Sequence, residues 1–238
     1  MPDKKTAIVT GAQQGIGEGL VEGFLKERYN VVGTSRNVTR AFQPASNLVL
    51  IDGDIRMQET AAKTVEAAIK NFGSIDVLVN NAGIFRTKPF TEFTTEDFNE
   101  LVSVNLLGFF YMTQLAVKQM LKQQSGCVVN ISAALVDQPA AGVNASVSMI
   151  TKGGLNAVTK SLAIEYAKDG IRFNAVAPGV VDSPLHKNDS KEVLRSFQPM
   201  GKIVEIQDIV EAVLFIARAG QITGEILHVD GGAHAGRW

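Results

Sequence analysis

The chain has almost nothing with which to cross-link itself: one cysteine, Cys127, in 238 residues. A lone thiol excludes an internal disulfide, and no Cys/His cluster has the spacing of zinc ligands, so no metal is expected. Such usage fits a reducing compartment, and the expected location is cytoplasmic. An excess of one charge is also lacking. Lys plus Arg number 23 and Asp plus Glu 24, a formal net charge of −1. Proteins that hold nucleic acid or an anionic membrane carry a basic surplus, so neither partner is expected. No run approaches the roughly 20 apolar residues of a membrane span. The apolar stretch near the N-terminus breaks at Gly11, too early for a signal-peptide core. Acid–base side chains are scarce: three tyrosines (Tyr29, Tyr111, Tyr166) and three histidines (His186, His228, His234).

What is present is the material of a large core, with 45% hydrophobic and 20% charged residues. Short runs rich in β-branched residues, at 6–10, 30–34, 47–51, 77–80, 127–132, 171–177 and 226–229, read as seven strands apolar on both faces. Amphipathic stretches at 15–28, 58–72, 95–122, 148–168 and 206–218 read as helices between them. Parallel neighbours need a crossover, so the alternation predicts an α/β fold with a doubly wound, seven-stranded parallel sheet and helices on both faces. No linker, repeat or low-complexity segment divides it, and residues 1–238 are expected to form a single domain. The one long irregular stretch, about 178–203, follows a strand's carboxyl end, where open α/β sheets bind ligands. It reads as a substrate-covering insertion with short helical pieces; the alternative is a merely solvated loop.

The first strand runs directly into Thr10-Gly11-Ala12-Gln13-Gln14-Gly15-Ile16-Gly17 and then a helix. Gly11 permits a tight turn, Gly15 lets a pyrophosphate approach the backbone, and Gly17 lets helix and strand pack closely. The helix N-terminus offers unpaired N–H groups to the phosphates.

This G-x-x-x-G-x-G spacing resembles the short-chain dehydrogenase/reductase family, and further motifs agree along nearly the whole chain. Asn80-Asn81-Ala82-Gly83 resembles its N-N-A-G, Asn105 its helix asparagine, and Lys152 its active-site lysine. Pro178-Gly179 resembles its P-G turn, and Ile222-Thr223-Gly224 through Val229-Asp230-Gly231-Gly232 its terminal pattern. The resemblance implies a Rossmann-like fold holding a nicotinamide dinucleotide through Gly11, Gln14, Gly15, Ile16, Gly17, Asp54, Ile55, Asn81, Ala82, Gly83, Lys152, Pro178, Gly179, Val181 and Ser183. Within that set Asp54 would meet the adenine and Ser183 the nicotinamide carboxamide.

Cofactor choice is argued locally. An NAD site places a carboxylate at the end of the second strand to bind the ribose 2′-hydroxyl, and that charge repels a 2′-phosphate. Here Ser35 takes that place and Arg36 follows, and a guanidinium pairs well with phosphate. NADP(H) is therefore favoured over NAD(H); the alternative is that Arg36 only stacks on adenine.

The catalytic half departs from the pattern. The family's general acid is a tyrosine four residues before the lysine, a spacing that stacks both on one helix face. In this sequence that position is Ser148. The substrate-orienting serine falls in Asn130-Ile131-Ser132-Ala133, where the natural alignment sets Ala133 at the working position and a one-residue shift would restore Ser132. The catalytic candidates are Asn105, Ser148, Lys152 and Ser132, with Ser148 acting through a bridging water. None of the three tyrosines is well placed to substitute; His186 is the best alternative donor. The expected function is an NADP(H)-preferring oxidoreductase that interconverts a carbonyl and an alcohol on a small molecule with a non-standard proton relay. The alternative is an NADP(H)-binding pseudoenzyme. Helices 98–122 and 148–168 are apolar beyond one stripe, which, with the resemblance, leads to a homotetramer as the expectation.

Overall fold

The computed structural model describes residues 4–236, and residues 1–3 and 237–238 of the expected 1–238 unit lie outside it. Seven strands form one sheet: β1 (Thr6–Thr10), β2 (Asn30–Ser35), β3 (Leu48–Asp52), β4 (Val77–Asn80), β5 (Gly126–Ile131), β6 (Ile171–Pro178) and β7 (Ile226–Val229). Their order is β3-β2-β1-β4-β5-β6-β7, and every pairing is parallel. Alternation of side chains along each strand sorts the core into two halves. Val9, Val31, Val79 and Val129 face one layer, with Leu20, Phe24, Ile209 and Val213. Ile8, Val32, Leu78 and Val128 face the other, with Met112, Met120 and Phe173. The first layer is α1 (Ile16–Lys26) and α7 (Ile206–Arg218). The second is α2 (Gln58–Phe72), α4 (Gly108–Gln123) and α5 (Ser146–Glu165).

The helix expected over 95–122 has a break in its winding. It starts as α3 (Thr95–Val102), entered through a capping box in which Thr94 and Asp97 satisfy each other's backbone N–H groups. It then passes through a π turn at Ser103–Leu107 before continuing as α4. The π turn carries Asn105, whose amide is fully engaged outside the helix. Local widening of this kind recurs at functional sites. By length and composition the continuous segment Thr95–Gln123 could cross a membrane, contrary to the sequence expectation. Its buried residues Leu101, Met112, Ala116 and Met120 are instead committed to this protein's own core.

The order of the strands reverses between β1 and β4, the switch point at which doubly wound sheets open a crevice. Between β6 and α7 the chain carries a helical turn (Pro184–His186) and the short helix α6 (Lys191–Ser196). The base of this excursion is closed by a parallel bridge between Val181 and Val204.

Candidate active site

The switch point is tied together by one hydroxyl. Thr10 Oγ1, at the end of β1, accepts the N–H groups of Asn81 and Ala82, both at 3.0 Å. In return Asn81 Nδ2 donates to the carbonyls of Thr10 (2.9 Å) and Gly11 (3.2 Å). The glycine turn and the segment after β4 are thereby held in one piece. Gly11 has φ +65° and presses on Ala82, while a Cβ on Gly17 would lie 2.1 Å from the Gly11 carbonyl oxygen. Neither position has room for a side chain. The N-terminus of α1 has no side-chain cap, so its first N–H groups remain available for phosphate. Gln14 is exposed at the crown of the turn and Ile16 opens the helix. Ser183 and Pro184 of the insertion sit over Gly15, with Pro184 Cδ 3.3 Å from where a Cβ would stand. A nucleotide cradle with a cover fits these residues.

At the far end of the cleft, Ser35 is half-buried and Arg36 exposed. Sequence reasoning missed Asp52, which pairs in register with Ser35 from β3. Its carboxylate accepts from Thr39 N (3.0 Å) and Thr39 Oγ1 (2.6 Å), which hold its pKa down. Asp54 is gripped by Arg56, with Nε 2.9 Å and Nη2 2.5 Å from Oδ2, and this pairing lowers its pKa. Ile55 packs on Gly108 of α4, and Gly83 is exposed at the cleft. On the other wall Gly179 presses against Asp230, and Pro178 is buried. The Val181 side chain lies in the core, and its backbone bridges to Val204.

The catalytic candidates do converge, but not as equals. Asn105 Oδ1 accepts from Ile84 N at 2.8 Å, and its Nδ2 donates to Ile84 O (3.0 Å) and Thr151 Oγ1 (2.9 Å). Lys152 Nζ donates to Ile131 O at 2.8 Å. Burial away from water pushes this ammonium down to about 8. Ser148 shares the α5 face with Lys152 but is fully buried. Its hydroxyl accepts from Arg86 N (2.9 Å) and donates to Arg86 O (2.8 Å). No hydroxyl is presented to the cleft there. Ser132 is also buried, and its Oγ reaches back to the Lys152 carbonyl at 3.4 Å. Ala133, the next residue, is the more exposed of the two.

Arg86 was not visible as a site residue from sequence, because its backbone does the work. Its guanidinium anchors the same segment on α3 through Asp97, at 2.6 Å, and Glu100. Lys88 Nζ reaches Asp97 at 2.5 Å and is the main cause that holds that carboxyl at about 2. His186 pairs with Asp189 at 2.7 Å on the insertion. At the sheet edge His228 pairs with Asp137 (2.8 Å) and stacks on His234, ring centroids 3.8 Å apart.

Residues 11–234 match the family profile described as Enoyl-(Acyl carrier protein) reductase. The chain is a member of the short-chain dehydrogenase/reductase family. It is 33% identical over 244 residues to a 3-oxoacyl-(acyl-carrier-protein) reductase of Buchnera aphidicola subsp. Baizongia pistaciae, covering 97% of this chain and 98% of that one. The structure of ElxO with NADP bound is similar at a TM-score of 0.90 and 32% identity, covering 98% of this chain and 100% of that one. A 3-ketoacyl-(acyl-carrier-protein) reductase from Brucella melitensis complexed with NADH gives a TM-score of 0.91 and 32% identity, covering 97% and 98%. These relationships support an oxidoreductase with a nicotinamide cofactor. They also support the seven-stranded Rossmann-like architecture expected from the sequence.

Proposed function

We propose that the protein is an NADP(H)-preferring oxidoreductase that interconverts a carbonyl and an alcohol on a small molecule, with a proton relay lacking the family's phenol. The observation that carries the reading is the nucleotide cradle, complete around Thr10, Gly11, Gly17 and Asn81, with Lys152 and Asn105 in place beside it. The turn at Gly11, Gln14, Gly15, Ile16 and Gly17 would hold the pyrophosphate, and Ser35 with Arg36 the 2′-phosphate. Asp54 and Ile55 would flank the adenine. Asn81, Ala82, Gly83, Pro178, Gly179, the Val181 backbone and Ser183 would line the nicotinamide half, with Lys152 on its ribose. When bound, the cofactor supplies a hydride to a carbonyl carbon. The protein orients the carbonyl, and the insertion over Gly15 excludes water, which strengthens every polar contact inside.

A 3-oxoacyl compound is the first substrate to try, since relatives bear the name 3-oxoacyl-(acyl-carrier-protein) reductase. A homotetramer is part of the proposal: Gly108, Ala116 and Leu155 are buried within the chain, yet Phe110, Ile150 and Ile164 on α4 and α5 remain at least half exposed. The cytoplasmic setting rests on Cys127 being the one cysteine of the chain, which allows no internal disulfide.

A second reading, an NADP(H)-binding pseudoenzyme, draws support from the enclosed Ser148 hydroxyl and from Ala133. NADPH and NADH titrations followed by fluorescence, then NADPH oxidation against a carbonyl panel, separate the two. Turnover by the wild type supports the enzyme. Tight NADPH binding without turnover, with activity appearing only in Ala133→Ser/Ser148→Tyr, supports the pseudoenzyme. Failure to bind either nucleotide removes both.

A further inference from the structure

Reduction of a carbonyl needs a proton as well as a hydride, and the cleft has few groups able to give one. The Ser148 hydroxyl is enclosed on Arg86. Thr151 Oγ1 donates to Ser148 O at 2.9 Å, accepts from Asn105, and is fully buried. Ser132 Oγ is turned to the α5 backbone. Tyr29 packs on Phe24 in the opposite core half, and Tyr166 packs on Phe173 beyond the end of α5. Tyr111 stands beside Phe110 on α4. His186 is tied to Asp189 out on the insertion.

Lys152 Nζ is the group left at the floor. A Cβ on Gly83 would stand 3.2 Å from Nζ and 3.3 Å from Asn105 Oδ1, so ammonium and amide oxygen meet at one exposed glycine. Among the described residues the one acceptor for Nζ is the Ile131 carbonyl, so two of its three N–H bonds have no protein acceptor.

We propose that Lys152 gives its own proton to the substrate's carbonyl oxygen, acting as the immediate general acid where the family uses a phenol. This rests on the carbonyl-oxidoreductase reading above and adds the identity of the donor. The carbonyl carbon takes the hydride from the reduced nicotinamide, and the C=O π pair moves to oxygen. That oxygen forms its O–H bond as the Nζ–H bond breaks, and the N–H pair stays on nitrogen. The neutral amine regains a proton from water. Nζ is flanked by the Ile131 carbonyl and, across Gly83, by the neutral Asn105 amide, and burial alone lowers its proton affinity. An acid tuned to about 8 is protonated at neutral pH and still transfers readily.

The test has a readout independent of turnover. NMR titration of the Lys152 ε-methylene in the nucleotide-free protein is expected to show a midpoint near 8. Reduction of acetoacetyl-N-acetylcysteamine by NADPH should be flat below that pH and fall tenfold per unit above it. Lys152→Arg keeps charge and donors but holds its proton throughout. It should lose roughly 10²–10⁴-fold in kcat and show no midpoint near 8. Lys152→Ala, checked for folding by thermal unfolding, should recover rate when methylammonium is added. A Lys152 midpoint above 10, or Lys152→Arg turning over within tenfold with the wild-type profile, overturns the inference alone. A wild type that binds NADPH and reduces nothing overturns the carbonyl-oxidoreductase reading and this inference together.

Discussion

Ser148 and Arg86 exchange a reciprocal pair of hydrogen bonds: the Arg86 N–H donates to the serine hydroxyl at 2.9 Å, and the hydroxyl donates to the Arg86 carbonyl at 2.8 Å. The serine side chain thus completes the backbone of a neighbouring segment. Ser148→Ala should leave both groups unpaired and cost about 1–3 kcal/mol in urea unfolding. The Arg86 amide should exchange faster with deuterium. Unchanged stability and exchange would show that Arg86–Asp97 and Lys88 N–Asn144 O hold the segment without it.

Glycine at position 17 is dictated by contact. Gly17→Ala would place a Cβ 2.1 Å from the Gly11 oxygen, forcing α1 away from the turn. Loss of NADPH binding by roughly 100-fold or more is expected, with about 1–3 kcal/mol of destabilisation. Gly220→Ala, whose Cβ would meet nothing within 4 Å, should stay within about 0.5 kcal/mol of wild type. Calorimetric titration and unfolding of the two variants check both statements.

Arg36 is the exposed cation that follows β2, with the hydrogen-bonded Asp52 carboxylate one strand away. Arg36→Glu should weaken NADPH roughly 10- to 100-fold and leave NADH within a few-fold, since only the former has a 2′-phosphate to lose. Equal losses for both nucleotides would mean that Arg36 serves the adenine instead.

Asp97 supplies a pH-dependent clamp. Hydrogen bonds from Lys88 and from Thr94 N hold its carboxyl at about 2, below the ordinary 3.8. A depressed folded-state pKa stabilises the fold above the unfolded value and loses that effect as pH falls through the folded one. Wild type should therefore exceed Asp97→Asn in Tm at pH 6, with the gap closing between about pH 4 and pH 2. A gap independent of pH would place the effect in packing alone.

Much of the architecture is legible in sequence because strands buried on both faces are unbroken apolar runs. Residues 6–10, 77–80 and 226–229 coincide with β1, β4 and β7, and 58–72 and 206–218 with α2 and α7. The π turn at Ser103–Leu107 escapes such reading, since hydrophobic spacing hardly registers one extra residue per turn. In the site, the glycine turn and Lys152 are visible because their chemistry is tied to residue type. Ser148 is visible too, but not the direction of its hydroxyl, which is decided by a segment 62 positions away. Arg86 and Asp52 escape because one acts through its backbone and the other through strand register.

The bridge between Val181 and Val204 places the two ends of the insertion side by side. The exposed stretch 187–193 between them can lengthen, shorten or change composition while β6 keeps its register and α7 its seat, because doubling a closed loop costs only about 0.6 kcal/mol. That stretch holds none of the residues proposed for the nucleotide, so it can vary apart from the glycine turn and Ser183. A single contiguous exchange between relatives would re-aim the chemistry without rebuilding the scaffold that powers it.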